Sequence, residues 1–478
     1  MTLWTKEELL ESLNSELIAH NLNNQLNINE VVIDSRKAAP NKIFIALKGE
    51  NHDAHKFLNQ VFSNGCEIAI IDNPDKFDEF KTPLLKNKLI LVKNTFIALY
   101  KIAEFSRNRS KAKIIGITGS VGKTGTKEIL NIAFTTQGKT YTTLGNLNNH
   151  IGLPLSLSNF SRDCDYGIFE MGMNHLGEIE VLSKLAKPHL AIITNIGPVH
   201  IENFKNEQEI AFAKSEIFSG VVKNGIALLN QDNQHFEFVK NRANYFEINQ
   251  ENIVSFGEKT DSDYKIISSE IKNVNLSEVK VRTKKNIEIS YEISTSHKAT
   301  IFNSIIVLAC LDLLGNDIKK GIETFKNIKS FKGRGEILEL EIDNKKLVVI
   351  DDSYNASVLS MKSGLEHAIN LKNSLKKNRI VAALGDMLEL GEKSQELHEE
   401  VIEYVKNYKI DFVILVGEKM TIASQKLDKN IYKIFSNSKD AANSIKNLLQ
   451  DEDILYVKGS HSMKMDMIIE NLSAQINN

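Results

Sequence analysis

"GITGSVGKTGTKEIL", residues 116–130, places a glycine-rich turn between an apolar run and a helix-favouring one. The residues before Thr118 read as a buried strand and those after Lys123 as a helix, so "TGSVGKT" (118–124) is a strand-to-helix turn. Backbone N–H groups at such a turn face an anion, and the helix N-terminus favours negative charge. Gly119 and Gly122 permit close approach, Lys123 can reach β- and γ-phosphates, and the Thr124 hydroxyl suits Mg²⁺. With Ser120, Val121 and Gly125 these residues form a candidate ATP-binding loop. The common spacing G-x-x-x-x-G-K-[ST] would need a glycine where Ile117 stands, which weighs against an ordinary nucleotide kinase. A plain turn carrying a solvated lysine is the competing reading, and the strand–loop–helix context disfavours it.

Outward from this loop, the chain of 478 residues is too long for one ordinary core, and two to four domains of about 100 to 200 residues are expected. Hydrophobic residues make up 42% and charged residues 25%, a composition of folded, soluble material. With 59 basic against 61 acidic residues the formal net charge is -2, so no global basic field favours nucleic acid and an anionic ligand needs a local site. Cys66, Cys164 and Cys310 are odd in number and widely separated, which argues against a disulfide framework or a structural zinc site and for a reducing cytoplasm. The N-terminus is charged throughout, and the apolar run "SIIVLACLDLLG" (304–315) is shorter than a membrane span. Neither a signal peptide nor membrane insertion is expected.

Residues 1–110 alternate short apolar runs such as "KIFIAL" and "CEIAIID" with polar turns, the pattern of a small α/β domain. From 111 to 329, "KIIGIT", "YGIFEMG", "LAIITNI" and "GIALLN" are buried-strand candidates separated by helix-length segments, a parallel-sheet nucleotide domain. Val279, Val281, Ile287, Ile289, Tyr291 and Ile293 then recur at period two, which predicts a β-rich flap. A helical run spans about 299–315. From 330 to 478, "LVVIDDS", "RIVAALGD", "DFVILVG", "IYKIFS" and "DILYVKGS" alternate with helical segments as a Rossmann-like doubly wound unit. Three α/β domains are expected.

Further candidates stand at strand ends. Glu170 closes a hydrophobic strand, where a carboxylate can hold the Mg²⁺ that Thr124 touches. His200 follows another buried strand in "TNIGPVHIENF", and Lys214 lies on the next helix in "EIAFAKSEIF". Each alone is weak, because a lone loop histidine or helix lysine is usually solvated.

The loop spacing T-G-[ST]-x-G-K-T resembles that of the Mur ligases and the related folylpolyglutamate synthases, which join an amine to a carboxylate using ATP. "TLGNLNNHIGLPLSL", "EMGMNHLGEI", "DDSYNASVLSM", "GDMLELGEKSQELHEEV" and "VKGSHSMKMD" occur in the family's order and resemble its dipeptide-adding branch. The resemblance implies an N-terminal domain that binds a UDP-sugar, a central ATP-binding domain and a C-terminal ligase domain. It implies UDP-N-acetylmuramoyl-tripeptide and D-alanyl-D-alanine as substrates, with ATP and Mg²⁺; a monomer is the expected state. Lys123, Glu170, His200 and Lys214 become catalytic candidates, with Thr124, Glu170, His200 and a carbamoylated Lys214 around the metal. Thr118 to Gly125, Asn303, Arg334 and Asp352 would engage ATP. Ser35, Arg36, Lys48, Gly49, Asp53, His55, Asn146, Asn148 and Asn149 match positions around the UDP-sugar, and Tyr354, Asn355 and Ala356 match contacts of the incoming dipeptide.

The chain departs from the family's pattern in places. Gly125 stands where Ser or Thr is usual, His461 replaces the arginine of "KGSR", and "SVL" follows Asn-Ala where "NPD" is common. In "HKATIFN" (297–303), aligning Asn303 with the family's second asparagine leaves Ala299 and Thr300 at its His-Asn pair; a local insertion would instead let His297 and Asn303 fill those roles. The rival readings are a sister ligase adding another amino acid, a P-loop kinase or GTPase switch, and a catalytically silent scaffold. The shortened glycine spacing and the lack of an N-K-x-D sequence weigh against the switch.

Overall fold

The computed structural model describes residues 2–22, 26–79, 87–199, 201–328 and 332–474. His200 and the expected boundary at 329/330 lie outside them. The chain divides into two compact units, Met1–Ile117 with Gly138–Ala191 and Glu216–Ile226, and Thr118–Gln137 with Ile192–Ser215 and Ala227–Asn478.

The N-terminal sheet has the order β1-β5-β4-β3-β2, built from β1 (Leu17–His20), β2 (Glu30–Val32), β3 (Lys42–Ile45), β4 (Ile68–Ile71) and β5 (Leu89–Val92). β2 to β5 pair in parallel and β1 is antiparallel to β5. Period-two alternation splits the apolar strands between two cores. Ile43, Ile45, Ile68, Ile70 and Ile90 face Trp4 and the helix Thr95–Arg109, while Phe44, Ala69, Ile71 and Leu89 face Leu58 and Val61. Coverage on both faces is why these strands read as continuous hydrophobic runs.

The second sheet comprises β6 (Lys113–Thr118), β7 (Thr140–Thr142), β8 (Tyr166–Glu170), β9 (Leu190–Ile193), β10 (Ile226–Asn230), β11 (Ile253–Gly257), β12 (Tyr264–Asn273), β13 (Leu276–Arg282) and β14 (Glu288–Ile293). Its order is β14-β13-β12-β11-β10-β9-β6-β8-β7. The period-two stretch forms β12 to β14 as antiparallel strands, with Val279, Val281, Tyr291 and Ile293 buried and Ile287 exposed beyond the strand end. β12 joins β11 in parallel at Phe256 and Gly257, so this flap continues the edge of the sheet.

The third sheet has the order β15-β16-β20-β17-β18-β19. Its strands are β15 (Glu336–Ile342), β16 (Lys345–Asp351), β17 (Arg379–Gly385), β18 (Phe412–Val416), β19 (Tyr432–Phe435) and β20 (Asp453–Lys458). β16 to β20 are parallel, and their apolar residues pack against the helices Ser438–Ile445 and Asp466–Ala474. β15 is an antiparallel edge strand that the sequence reading did not anticipate. It hairpins into β16 through Asp343 and Asn344, both at positive φ, as a two-residue turn of this kind requires. Among the described residues no helix is long and apolar enough to cross a membrane.

Candidate active site

The phosphate loop leaves β6 at Thr118 and enters the helix Lys123–Thr135 through Gly122, whose φ of 87° suits glycine. Lys123 Nζ folds back onto the Gly119 carbonyl at 2.7 Å. The segment after β9 pins the loop from below. Ser120 donates its N–H to Asn195 O at 2.8 Å, and its hydroxyl both donates to Gly197 O at 2.9 Å and accepts from Gly197 N at 3.0 Å. Thr194 Oγ1 donates to Val121 O at 2.5 Å. A Cβ on Gly119 would fall 2.0 Å from that Thr194 oxygen, so the glycine is required by close approach. Three loop residues, Gly119, Ser120 and Val121, are thereby held, the preorganisation an anion cradle needs.

Asn303, on the helix Lys298–Leu313, lies against this loop. A Cβ on Gly122 would sit 3.2 Å from Asn303 Oδ1, and one on Gly125 only 2.9 Å from Asn303 Nδ2. The Asn303 amide occupies the space that a larger residue at 125 would claim, which gives the Gly125 departure a packing reason. Thr300 is not turned to the loop: its hydroxyl meets His297 Nδ1 at 3.1 Å.

Glu170 ends β8 opposite Ile117, with only 2% of its surface exposed. Asn148 donates Nδ2 to Glu170 Oε1 at 2.8 Å and is itself held by Gly172 N on its carbonyl at 2.8 Å. Asn149 Oδ1 accepts from Gly152 N at 2.8 Å at the start of the helix Gly152–Ser158, and Asn146 is exposed. Of the three asparagines, one orients a carboxylate and one caps a helix. Among the described residues no group of three or more His, Cys, Asp or Glu could hold a metal ion. The Thr124 hydroxyl and the Glu170 carboxylate are each, by their chemistry, hard oxygen donors of the kind Mg²⁺ takes.

Lys214 is buried near the end of the helix Glu207–Ser215, without an acidic partner among the described residues. Burial, and next the charge of Lys123, push its amine well below the ordinary lysine value. Both effects disfavour the charged ammonium form of this side chain.

In the N-terminal sheet the sequence-derived positions gather at the carboxyl edge of β2 and β3. Ser35 and Arg36 form a short turn after β2, in which Asp34 accepts Arg36 Nε at 2.9 Å and Nη2 at 2.7 Å. That bond holds the Asp34 carboxyl at about 2. The Lys48 and Asp53 backbones pair as an isolated antiparallel bridge across a turn closed by Gly49 N on His52 O at 2.8 Å. His55 is buried, with Nδ1 2.7 Å from Asp53 Oδ1 and Nε2 accepting from Asp72 N at 3.2 Å. Both its nitrogens are occupied inside the fold.

At the third sheet Arg334 lies 4.0 Å over the Tyr354 ring, and Tyr354 lies 5.3 Å from the ring of His461. Lys458 Nζ donates to Asp352 Oδ2 at 2.7 Å and to Asn355 O at 2.8 Å, and Tyr456 OH donates to Asp352 at 3.2 Å. Ala356 N closes onto Asn355 Oδ1 at 2.9 Å. Asp351, which the sequence reading passed over, is the buried organiser. Its carboxylate accepts Gly333 N at 3.0 Å, Ser353 N at 3.2 Å and Ser353 Oγ at 2.6 Å, tying the "KGRG" turn to the "DSYN" turn. As the last residue of a buried strand, ahead of a second aspartate, it carried that signal only in its position.

A family model described as the Mur ligase middle domain matches residues 117–311, and one described as the Mur ligase, glutamate ligase domain, matches residues 333–461. A curated protein of Rickettsia prowazekii named UDP-N-acetylmuramoyl-tripeptide--D-alanyl-D-alanine ligase is 35% identical over 98% of this chain and 99% of its own. The chain belongs to the Mur ligase family. A Bacillus subtilis relative of the same name is 31% identical over 93% of each chain. Among solved structures, MurF from Acinetobacter baumannii covers 99% of both chains with a TM-score of 0.84 at 27% identity. In a Mur ligase ATP drives the joining.

Proposed function

We propose that this chain joins D-alanyl-D-alanine to UDP-N-acetylmuramoyl-tripeptide with ATP, giving the UDP-MurNAc-pentapeptide precursor of peptidoglycan, and that it does so as a monomer in the cytoplasm. The likeness to dipeptide-adding relatives along almost the whole chain carries the reading. A carboxylate is a poor electrophile because its charge is delocalised. Its oxygen therefore attacks the γ-phosphorus of ATP, ADP leaves, and an acyl phosphate forms. The neutral amine of the dipeptide then attacks the acyl carbon; the C–O bond to phosphate breaks, phosphate departs, and the nitrogen gives up a proton.

Lys123 and the loop N–H groups stabilise charge on the transferring phosphoryl group, the term on which such reactions chiefly depend. Arg334 and Asp352 engage the nucleotide from the C-terminal segment. Thr124, Glu170 and His200 are the residues that would hold Mg²⁺, which neutralises phosphate charge when bound. Glu170 is kept in place by Asn148. In its uncharged form, which burial favours, the Lys214 amine can add to CO₂ with loss of one proton, giving an anionic carbamate suited to that centre. Ser35, Arg36, Lys48, Gly49, Asp53 and the Asn146–Asn149 loop serve the UDP-sugar, with His55 acting by holding Asp53; Tyr354, Asn355 and Ala356 serve the dipeptide.

The test is ADP release by the purified chain with UDP-sugar tripeptides ending in diaminopimelate or lysine, offered D-alanyl-D-alanine or single amino acids. ADP is expected only when tripeptide and dipeptide are both present. Release with a single amino acid instead would make it a sister ligase, and none under any combination would make it a silent scaffold.

A further inference from the structure

Two histidines that the ligase chemistry leaves unused meet edge to face. His297 stands at the N-cap position of the helix Lys298–Leu313, and its ring lies 5.1 Å from that of His367 at 88°, on the helix Val358–Leu375. His297 is 9% exposed and His367 1%. The next residue on the first helix pairs with the preceding residue on the second, Lys298 Nζ to Glu366 Oε1 at 2.9 Å. Gly335 closes over the other side: a Cβ there would lie 2.7 Å from the His297 ring. Thr300 Oγ1 faces His297 Nδ1 at 3.1 Å, and both ring nitrogens of His367 are buried without a hydrogen-bond partner among the described residues. The helix that begins at this contact is the one that lays Asn303 over Gly122 and Gly125.

We propose that His297 and His367 are positioning residues that form an uncharged clasp, holding the start of the Asn303 helix to the C-terminal segment, and that a proton on either ring opens it. Edge-to-face packing of two small rings in a dry contact suits neutral imidazoles and has no place for an unpaired cation. The charged surroundings do not supply a partner. Asp352 and Lys458 face His297, but Lys458 already sits on the Asp352 carboxylate at 2.7 Å, with Tyr456 OH also bonded to it. Among the described residues His297 is the charged or titratable group that acts on His367, and Lys298, flanked by Glu366, Glu258 and Asp232, holds its own acids. Burial pushes both imidazoles below the ordinary histidine value. The opened form, with a free value of about 6.5, then binds protons that the clasped form refuses, so the clasp is at full strength above that pH and weakens progressively as pH falls below it.

The inference rests on the nucleotide-binding half of the ligase reading, so its test reads ATP binding and ring protonation, without turnover. ATP affinity is measured by calorimetry from pH 8 to 5.5 for the wild-type chain and for His367→Leu, whose comparison cancels the titration of ATP itself. The wild type is expected to weaken by up to about tenfold per pH unit, for each ring that takes a proton only when opened, below about pH 6.5. His367→Leu should bind as wild type at pH 8 and show a shallower slope. Equal slopes overturn the proposal. NMR titration of the two rings in the wild-type chain decides even if the variant does not fold: rings still neutral at pH 5.5 in the ATP-bound chain are expected, and titration near 6.5 overturns the clasp. Failure to bind ATP at any pH would count against the ligase reading, leaving the ring titration to judge the clasp.

Discussion

Lys123 and Lys214 show how one side chain acquires two chemistries from its surroundings. Lys123 Nζ rests on a loop carbonyl at 2.7 Å, whereas Lys214 is buried and its amine is pushed well below the ordinary lysine value. Lys123→Ala should lower kcat by at least about 100-fold, the scale of losing one transition-state donor, with the thermal melt little changed. Near-normal ADP release by the folded variant would remove the phosphate loop from the mechanism. Lys214→Ala should lose activity and regain part of it with acetate or another short carboxylate, which supplies the anion that the carbamate provided. Full activity without any additive would show that the carbamate has no role. Thr300 stands at one position of the family's His-Asn pair in the sequence alignment, yet its hydroxyl is engaged by His297. Restoring the amide by Thr300→Asn is therefore expected to leave the KM for ATP unimproved, and a several-fold gain would mean that the nucleotide reaches this residue.

At the scale of the element, the phosphate loop depends on its glycines for space as much as for dihedral freedom. Gly119→Ala forces a methyl into the Thr194 hydroxyl and should cost about 1 to 3 kcal/mol of overpacking, read as a lowered melting temperature together with loss of ATP binding. An unchanged melt would mean that the segment after β9 gives way freely. Elements with long apolar runs or clear period-two alternation, β6, β8, β9, β10 and the strands of the flap, are legible in the sequence because burial leaves one pattern per face. β7, with three half-buried residues, has no such pattern. β15 alternates as "EILELEI", but its pairing depends on the Asp343–Asn344 turn, whose positive φ values are a tertiary outcome. Candidates for the site stand out in the sequence where chemistry is carried by residue type, as at Lys123, Glu170 and Asn303. The site was opaque where a common residue acts by position: Asn148, matched by resemblance to the UDP-sugar loop, bonds Glu170, and Asp351 was hidden beside Asp352.

For the molecule as a whole, the sheets present their chemistry on loops at the carboxyl ends of parallel strands, where ligands of open α/β sheets gather. Coupling between segments distant in sequence is visible at one contact of the second compact unit. Leu359, in the "SVL" that departs from the family's pattern, reaches Gly197, where a Cβ would lie 2.0 Å from Leu359 Cδ1. Gly197 is the residue whose N–H and carbonyl both bind the Ser120 hydroxyl of the phosphate loop. A push on Gly197 is therefore a push on the nucleotide cradle, delivered from the helix that follows the "DDSYNA" turn. Gly197→Ala should lower ADP release because the methyl displaces either the leucine or the loop, an overpacking of about 1 to 3 kcal/mol. Leu359→Ala vacates that space and should cost little by itself. If the two residues act through this contact, the double variant recovers most of the activity lost in Gly197→Ala, with a coupling of about 0.5 to 3 kcal/mol in the kcat/KM cycle. Strict additivity of the two changes would mean that Gly197→Ala acts through Ser120 alone and that the leucine does not bear on the loop.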